Sequence, residues 1–376
     1  MTTAVSTTIR GHRSAERSCA APPKGLFAVV SRRSARLTHG RAAGRLLGMR
    51  VLITGAAGFA GSHLAEHCLA QGDEVWGTCR PGEATTNLTP ILDQLTLRVG
   101  DITKPKFAKE ILSETRFDVL YHLAGITFVP DGERFPTQAY ETNLLGGIHV
   151  LQAVAELQPA LRLIMVSSAE VYGQVPPERM PVTEEYLFRP INVLAAGKAA
   201  LEMAAHPFIH TYGLHVVIVR PFNHTGPRQR TDFVCSSLAA QVAQIEQGAK
   251  PVLFVGDLSP RRDFSDVRDI VRAYRLLAEK GETGQAYNLS SGKSISVESI
   301  LDMLVTMSRV KVDIVEDPSR VRKTQVMDVC GSYSKVERTC GWRPVIPIEK
   351  TVRDLLNWHR DLLIRQQRRK GTAVRK

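Results

Sequence analysis

The chain has 376 residues, 43% of them hydrophobic, and a formal net charge of +12. That apolar content excludes a disordered chain, and the length suits one large α/β domain or two unequal lobes. So positive a charge raises nucleic acid or an anionic membrane as partners, but its placement argues against both. Residues 1–48 hold nine Lys/Arg against one acid, Glu16, and residues 359–376 hold seven against one, Asp361. The stretch between them is close to neutral. Basic ends are solvated more often than they bind, so no specific nucleic-acid partner is expected.

Residues 1–48 are rich in Arg, Ser, Thr and Ala and poor in acids. They read as a disordered basic extension, or as an upstream misread of the start with Met49 the true beginning. The composition also fits an organelle transit peptide. The run from Gly25 to Val30 is too short for a secretory leader. Of the cysteines Cys19, Cys68, Cys79, Cys235, Cys330 and Cys340, none forms a Cys-x-x-Cys pair, and no Cys/His spacing suits zinc. Reduced thiols and a cytoplasmic location are expected, with no metal. No apolar run approaches the ~20 residues that span a bilayer.

From Met49 onward, strand-like runs alternate with helical patterns. Strands are predicted at 49–54, 74–79, 95–99, 118–123, 161–167 and 215–220. They are continuously apolar, as in a parallel sheet covered on both faces. Helices are predicted at 61–71, 105–115, 137–157 and 194–212. This order implies an α/β fold, a Rossmann-type doubly wound parallel sheet. After about residue 222 come shorter strands near 252–255 and 286–290 and helices near 233–248, 267–280 and 296–308. That part is expected to be a smaller C-terminal mixed α/β substrate lobe. The predicted division is therefore 1–48 extension, 49–222 mainly dinucleotide-binding, 223–358 mainly substrate-binding, and 359–376 basic tail. A last helix is predicted from Ile348 to Gln366.

Thr54-Gly55-Ala56-Ala57-Gly58-Phe59-Ala60-Gly61 follows the first strand and opens a helix. With that context the glycine spacing is a strong dinucleotide signal. Gly55 permits the tight turn, Gly58 admits a pyrophosphate, Gly61 lets helix and strand close up, and the helix N-terminus favours negative charge. Phe59 belongs to the same cofactor-contact set. The second strand ends Thr78-Cys79-Arg80, with no acid at 77–80 to meet a ribose 2′-hydroxyl. Arg80 suits a 2′-phosphate, which favours NADP, with NAD possible. Asp101 and Ile102 follow the third strand; Asp101 either touches the adenine or caps the next helix.

These glycines, together with Ser167-Ser168-Ala169-Glu170-Val171-Tyr172-Gly173 and Lys198, resemble the extended short-chain dehydrogenase/reductases, the NAD-dependent epimerase/dehydratase family. The runs Arg220-Pro221-Phe222-Asn223-His224-Thr225-Gly226-Pro227-Arg228-Gln229 and Arg261-Arg262-Asp263-Phe264-Ser265-Asp266-Val267 resemble its GDP-mannose branch of 4,6-dehydratases and 4-keto-6-deoxymannose reductases. The Gly341-Trp342-Arg343-Pro344 turn fits the end of that family. The resemblance covers roughly 49–358 and implies a GDP-sugar substrate and a homodimer formed through helices 137–157 and 194–212. It implies that Ser168 hydrogen-bonds the reacting oxygen, that Lys198 holds the cofactor ribose, and that Glu170 matches a carboxylate serving proton abstraction. It places Thr127, Asn143, Asn223, Arg228, Arg262 and Arg322 along the substrate cleft, the bland alternative for each arginine being a surface ion pair.

The sequence departs from that pattern in several places. Leu194 stands four residues before Lys198, where the family carries the tyrosine that moves the proton. Gly197 replaces a larger residue. Lys323 and Gln325 replace a proline and an acid after Arg322, and Ser332 replaces an aspartate after Gly331. Tyr172 offers either a substitute phenol or strand-end packing. Two functions therefore stay open: a nucleotide-sugar oxidoreductase or dehydratase using NADP, and a catalytically impaired binding protein.

Overall fold

The computed structural model describes residues 48–321 and 326–373. The extension before residue 48, Cys19 and the run Arg322-Lys323-Thr324-Gln325 lie outside the described residues, as does the end of the tail.

In chain order, the first half runs β1 (Arg50–Thr54), α1 (Phe59–Ala70), β2 (Glu74–Cys79), β3 (Thr96–Val99), α2 (Pro105–Glu114) and β4 (Val119–His122). It continues with α3 (Val129–Arg134), α4 (Pro136–Tyr140), α5 (Gly146–Leu157), β5 (Arg162–Val166), α6 (Val193–Tyr212) and β6 (His215–Pro221). The second half contributes β7 (Asn223–Thr225), α7 (Val234–Glu246), β8 (Val252–Val255), β9 (Arg261–Asp266), α8 (Val267–Lys280) and β10 (Ala286–Leu289). Then follow β11 (Ser294–Ser296), α9 (Val297–Met307), β12 (Asp313–Glu316), α10 (Ser334–Cys340) and α11 (Ile348–Ala373).

Seven strands form one sheet in the order β10-β6-β5-β4-β1-β2-β3, with every pairing parallel. Side chains alternate across its two faces. Val51, Ile53, Tyr121, Ile164, Val217 and Val219 pack on one side with Leu64 of α1 and Ile270 and Tyr274 of α8. Leu52, Leu120, Leu163, Met165, Val216 and Ile218 pack on the other with Ile111 of α2, Val150 of α5 and Leu201 of α6. Both faces of the inner strands are covered, which is why those strands read as unbroken apolar runs, while the edge strand β3 is partly exposed. The chain reverses its direction of winding between β1 and β4. In doubly wound sheets a ligand crevice opens at that point, beyond the strands' carboxyl ends.

A separate core joins α7, α9, α11 and β8 through Leu238, Val242, Leu253, Ile300, Leu304, Val352 and Leu355. Beside it stand a three-stranded sheet, β11-β9-β7, and a two-stranded one, β12-β8. Two elements of the second half, α8 and β10, belong to the layers of the large sheet although both follow residue 223. The predicted helix 137–157 is divided, with a π-helical turn over Glu141–Leu145 between α4 and α5. Among the described residues no helix is long and apolar enough to cross a membrane.

Candidate active site

The turn after β1 is shaped for close approach. Gly55 has φ +72°, which side-chain-bearing residues rarely adopt. A Cβ on Gly61 would sit 2.2 Å from the Gly55 carbonyl oxygen, so α1 can lie this near β1 only with glycine there. Gly58 is the N-cap of α1 and no side chain caps it, leaving that helix end to backbone N–H groups. The Thr54 hydroxyl ties the ends of β1 and β4 together, 2.9 Å from His122 Nδ1 and accepting the Ala124 N–H at 3.1 Å. Asn87 holds the turn from outside by donating to the Ala57 carbonyl at 3.1 Å. Arg80 lies exposed just beyond β2, in a loose 4.0 Å pair with Glu83. The Asp101 carboxylate accepts the Thr103 N–H at 2.9 Å, and the N-cap of α2, Lys104, makes no side-chain cap. Ile102 is buried in the core beneath α5. This cradle, with its left-handed glycine and open helix end, fits a dinucleotide pyrophosphate.

Helix α6 brings the next group to the same end of the sheet. Leu194, Lys198 and Glu202 are spaced four apart and share a face. Lys198 is 7% exposed, and its ammonium donates to the Val166 carbonyl at 2.7 Å. Burial pulls its pKa down to about 8, against an upward pull from Glu202. Asn143, in the π-helical turn, grips Ile126 at both ends, accepting its N–H at 2.7 Å and donating to its carbonyl at 2.9 Å. A Cβ on Gly125 would come within 2.9 Å of Asn143 Oδ1 and 3.4 Å of Lys198 Nζ, so Gly125 leaves these two side chains their room. Thr127 follows this clamped pair and is exposed.

Leu194 is 5% exposed, and a Cβ on Gly132 would lie 2.6 Å from its Cδ2. It is an apolar plug against α3. Tyr172 is engaged in the core and not free to act as a substitute phenol. It is fully buried, donates to Asn288 Oδ1 at 2.7 Å and accepts from Arg220 at 2.9 Å. Burial raises its pKa to about 12. Of its two sequence-level readings, packing is the one the structure supports. Arg220 is locked to Glu202 at 2.7 Å, and Glu202 also accepts from Ser167. Ser168 is the N-cap of a short 3-10 turn, Ala169–Tyr172, its hydroxyl accepting the Glu170 N–H at 3.1 Å. The Glu170 carboxylate is exposed and accepts from Asn192 Nδ2 at 2.9 Å. Asn192 was readable as a polar cap before an apolar run, but not as Glu170's partner.

The proposed substrate residues are less uniform. Asn223 opens β7 and is exposed. Arg228 has φ +75°, and its guanidinium is bound to Ser62 and Glu66 of α1. It ties the loop after β7 to the cofactor helix, so the ion-pair alternative describes its state here. That loop is further pinned by His63, whose ring nitrogen lies 2.9 Å from the Pro227 carbonyl, and by a stack of Phe59 on His224. Phe59 thus meets the substrate-side loop at the mouth of the glycine turn. Arg262 lies on β9, half-buried, donating to the Arg261 carbonyl at 2.7 Å. Arg322 falls outside the described residues. Among the described residues no cluster of His, Cys, Asp or Glu is placed to hold a metal.

A family model described as GDP-mannose 4,6 dehydratase matches residues 52–355. The chain is 35% identical to a GDP-6-deoxy-D-mannose reductase of Pseudomonas aeruginosa, over 82% of this chain and 96% of that one. It superposes with a TM-score of 0.73 on the structure of RMD from Pseudomonas aeruginosa complexed with NADPH, at 32% identity and over 83% and 99% of the two chains. It also superposes with a TM-score of 0.76 on a Thermotoga maritima UDP-glucose 4-epimerase with UDP-glucose, at 25% identity and over 84% and 100%. The chain belongs to the GDP-mannose 4,6-dehydratase family, within the NAD-dependent epimerase/dehydratase branch of the short-chain dehydrogenase/reductases.

Proposed function

We propose that this protein is a nucleotide-sugar oxidoreductase or dehydratase that uses NADP(H) on a GDP-linked, mannose-derived sugar. The carrying observation is the joint placement of the glycine turn, Ser168, Glu170 and buried Lys198 at one end of the sheet. Its support from relatives is a reductase 35% identical and a similar fold that holds NADPH. NADP(H), when bound, supplies or takes hydride at the sugar carbonyl carbon. Gly55, Gly58, Phe59 and Gly61 would hold its pyrophosphate, Arg80 its 2′-phosphate, Asp101 and the backbone of Ile102 would border the adenine, and Lys198 would bond the ribose. Ser168 hydrogen-bonds the reacting oxygen. Thr127, Asn223, Arg228, Arg262 and Arg322 form the GDP-sugar side, with Arg228 acting through its tie to α1. The division at 222/223 then marks a change of ligand rather than of structural layer. A homodimer and a cytoplasmic location complete this reading.

One observation favours a second reading. Leu194 occupies the place one turn before Lys198 and has no proton to give, while Tyr172 is committed elsewhere. A positioned acid or base contributes ~10²–10⁴-fold, and losing that much leaves a binding protein with residual turnover. Single-turnover reduction of GDP-4-keto-6-deoxymannose by NADPH, in the natural chain and in Leu194→Tyr, separates the two. Turnover by both establishes an enzyme with another proton donor. Turnover by the variant alone establishes the impaired binder. Turnover by neither contradicts the proposed reductase chemistry.

A further inference from the structure

We propose that the loop 226–229 couples the two ligands of this protein, with Arg228 as its positioning residue and Glu66 as the anchor. A dinucleotide at the N-terminus of α1 and a nucleotide sugar beyond β7 then bind with positive cooperativity. The inference rests on the nucleotide-sugar reading above and assigns a regulation to the same site.

Three ties join this part of the chain to α1. Arg228 reaches across to the Glu66 carboxylate and, at 3.3 Å, to the Ser62 hydroxyl. His63 Nε2 lies 2.9 Å from the Pro227 carbonyl. A carbonyl only accepts, so that nitrogen carries the ring's proton; burial lowers the ring's pKa to about 4, which keeps it neutral. The Phe59 ring stacks on His224 with centroids 5.8 Å apart and planes 11° from parallel. Phe59, Ser62, His63 and Glu66 follow the spacing of a single helix face, so α1 gives one whole side to this contact. Phe59 is also the first residue of α1, at the uncapped end that fits a pyrophosphate.

Arg228 is held in an unfavourable backbone conformation. Among the described residues it is the one non-glycine residue with positive φ, at +75°. A residue with a side chain persists there only where its surroundings over-determine it. The anchored guanidinium does so, and without its anchor the turn is free to relax away from α1.

The far end of the loop is tied to the substrate side. Thr225 donates to Gln229 Oε1 at 2.6 Å, and Gln229 Nε2 donates to the His224 carbonyl at 2.9 Å. Ser236 of α7 donates to the Gln229 carbonyl at 2.6 Å. β7, just before the loop, pairs with β9 so that Asn223 stands opposite Phe264, two residues from Arg262. The loop is therefore stitched into one piece between the cofactor helix and the substrate-side elements. A pyrophosphate that fixes the first turn of α1 also fixes the loop, so whichever ligand binds first orders a unit that both use. The gain is the same in either order.

The test titrates GDP-mannose into the full chain by calorimetry, with and without saturating NADPH. GDP-mannose offers no ketone for NADPH to reduce, so binding is read alone. NADPH should tighten GDP-mannose about tenfold in the natural chain. Glu66→Ala removes the anchor and should leave less than about a twofold effect, while NADPH affinity by itself stays level. Glu66→Gln keeps an amide oxygen for Arg228 to donate to and should fall between the two. Glu66 is a partly exposed helix residue, so both variants should fold. Independent binding of the two ligands in the natural chain overturns the proposal. So does coupling undiminished in Glu66→Ala, which would mean that the ligands touch each other directly. A second readout needs no sugar nucleotide. NADPH alone should slow hydrogen exchange at the Gly226, Arg228 and Gln229 amides in the natural chain and not in Glu66→Ala. Exchange unchanged by bound NADPH in the natural chain also overturns the proposal. Slowed exchange without any GDP-mannose binding supports the link from α1 to the loop and overturns the reading of the substrate instead.

Discussion

Lys198 carries its ammonium into a nearly dry place, with Glu202 one turn further along α6 as a compensating charge. A base group with its pKa depressed to about 8 is charged below that pH and neutral above it. If Lys198 holds the cofactor ribose, its N–H donors are strongest while the ammonium persists. NADPH affinity should therefore be flat up to about pH 7 and fall about tenfold by pH 9, roughly the tenfold per unit expected once the charged fraction declines. Fluorescence titration of NADPH at several pH values reads this directly. Lys198→Met should bind more weakly at pH 7 and lose the slope. A natural chain whose affinity is level from pH 7 to 9 would remove Lys198 from the ribose site.

Helix α6 shows how much one element can carry. One face, Leu194, Lys198 and Glu202, looks toward the sheet end, and its N-cap amide reaches Glu170. Gly197 lies between these roles. A Cβ there would meet Asn143 Cβ and a Tyr140 ring carbon at 3.5 Å, ordinary contact distance. Glycine inside a helix costs roughly 0.5–1 kcal/mol relative to alanine. Gly197→Ala should therefore raise unfolding free energy by about that amount in a denaturant titration, with the slope unchanged. A loss of stability would mean that the neighbouring ring cannot give.

The elements differ in how legible they were. The six strands of the first half were readable because a parallel strand covered on both faces writes itself as an apolar run bounded by turns. The short strands β7, β9 and β11 were not, since three to six residues rich in polar side chains carry no period. The helix predicted at 137–157 has a sound apolar repeat, but periodicity does not record the π turn that lets Asn143 reach Ile126. At the site, the glycine turn and Lys198 were readable as local spacings. The Glu66 partner of Arg228 and the Asn192 partner of Glu170 were not, because they come from elements 162 and 22 residues away.

At the scale of the whole molecule, the other face of α6 is the conspicuous surface. Ala196, Ala200, Met203 and Pro207 follow a spacing of four, three and four, a stripe along one side of a helix. Ala196 and Ala200 are half-exposed, and Met203 is 52% exposed. Tyr140 and Leu145, at 38% and 44%, stand on the neighbouring helical segment that packs beside α6. Together they make an apolar surface with small residues near its centre, the arrangement that lets two helices approach closely. Left in water, such a patch is unfavourable; paired with its own copy about a two-fold axis it is self-complementary. An interface through both helices would need to cover about 800 Å² on each subunit to hold a dimer. We expect sedimentation equilibrium at micromolar concentration to give twice the chain mass. Met203→Glu would set two carboxylates near each other across that axis and should give a folded monomer with unchanged NADPH affinity, because Met203 lies on the side of α6 away from Lys198. A natural chain that sediments as a monomer would leave the stripe without a partner of its own kind.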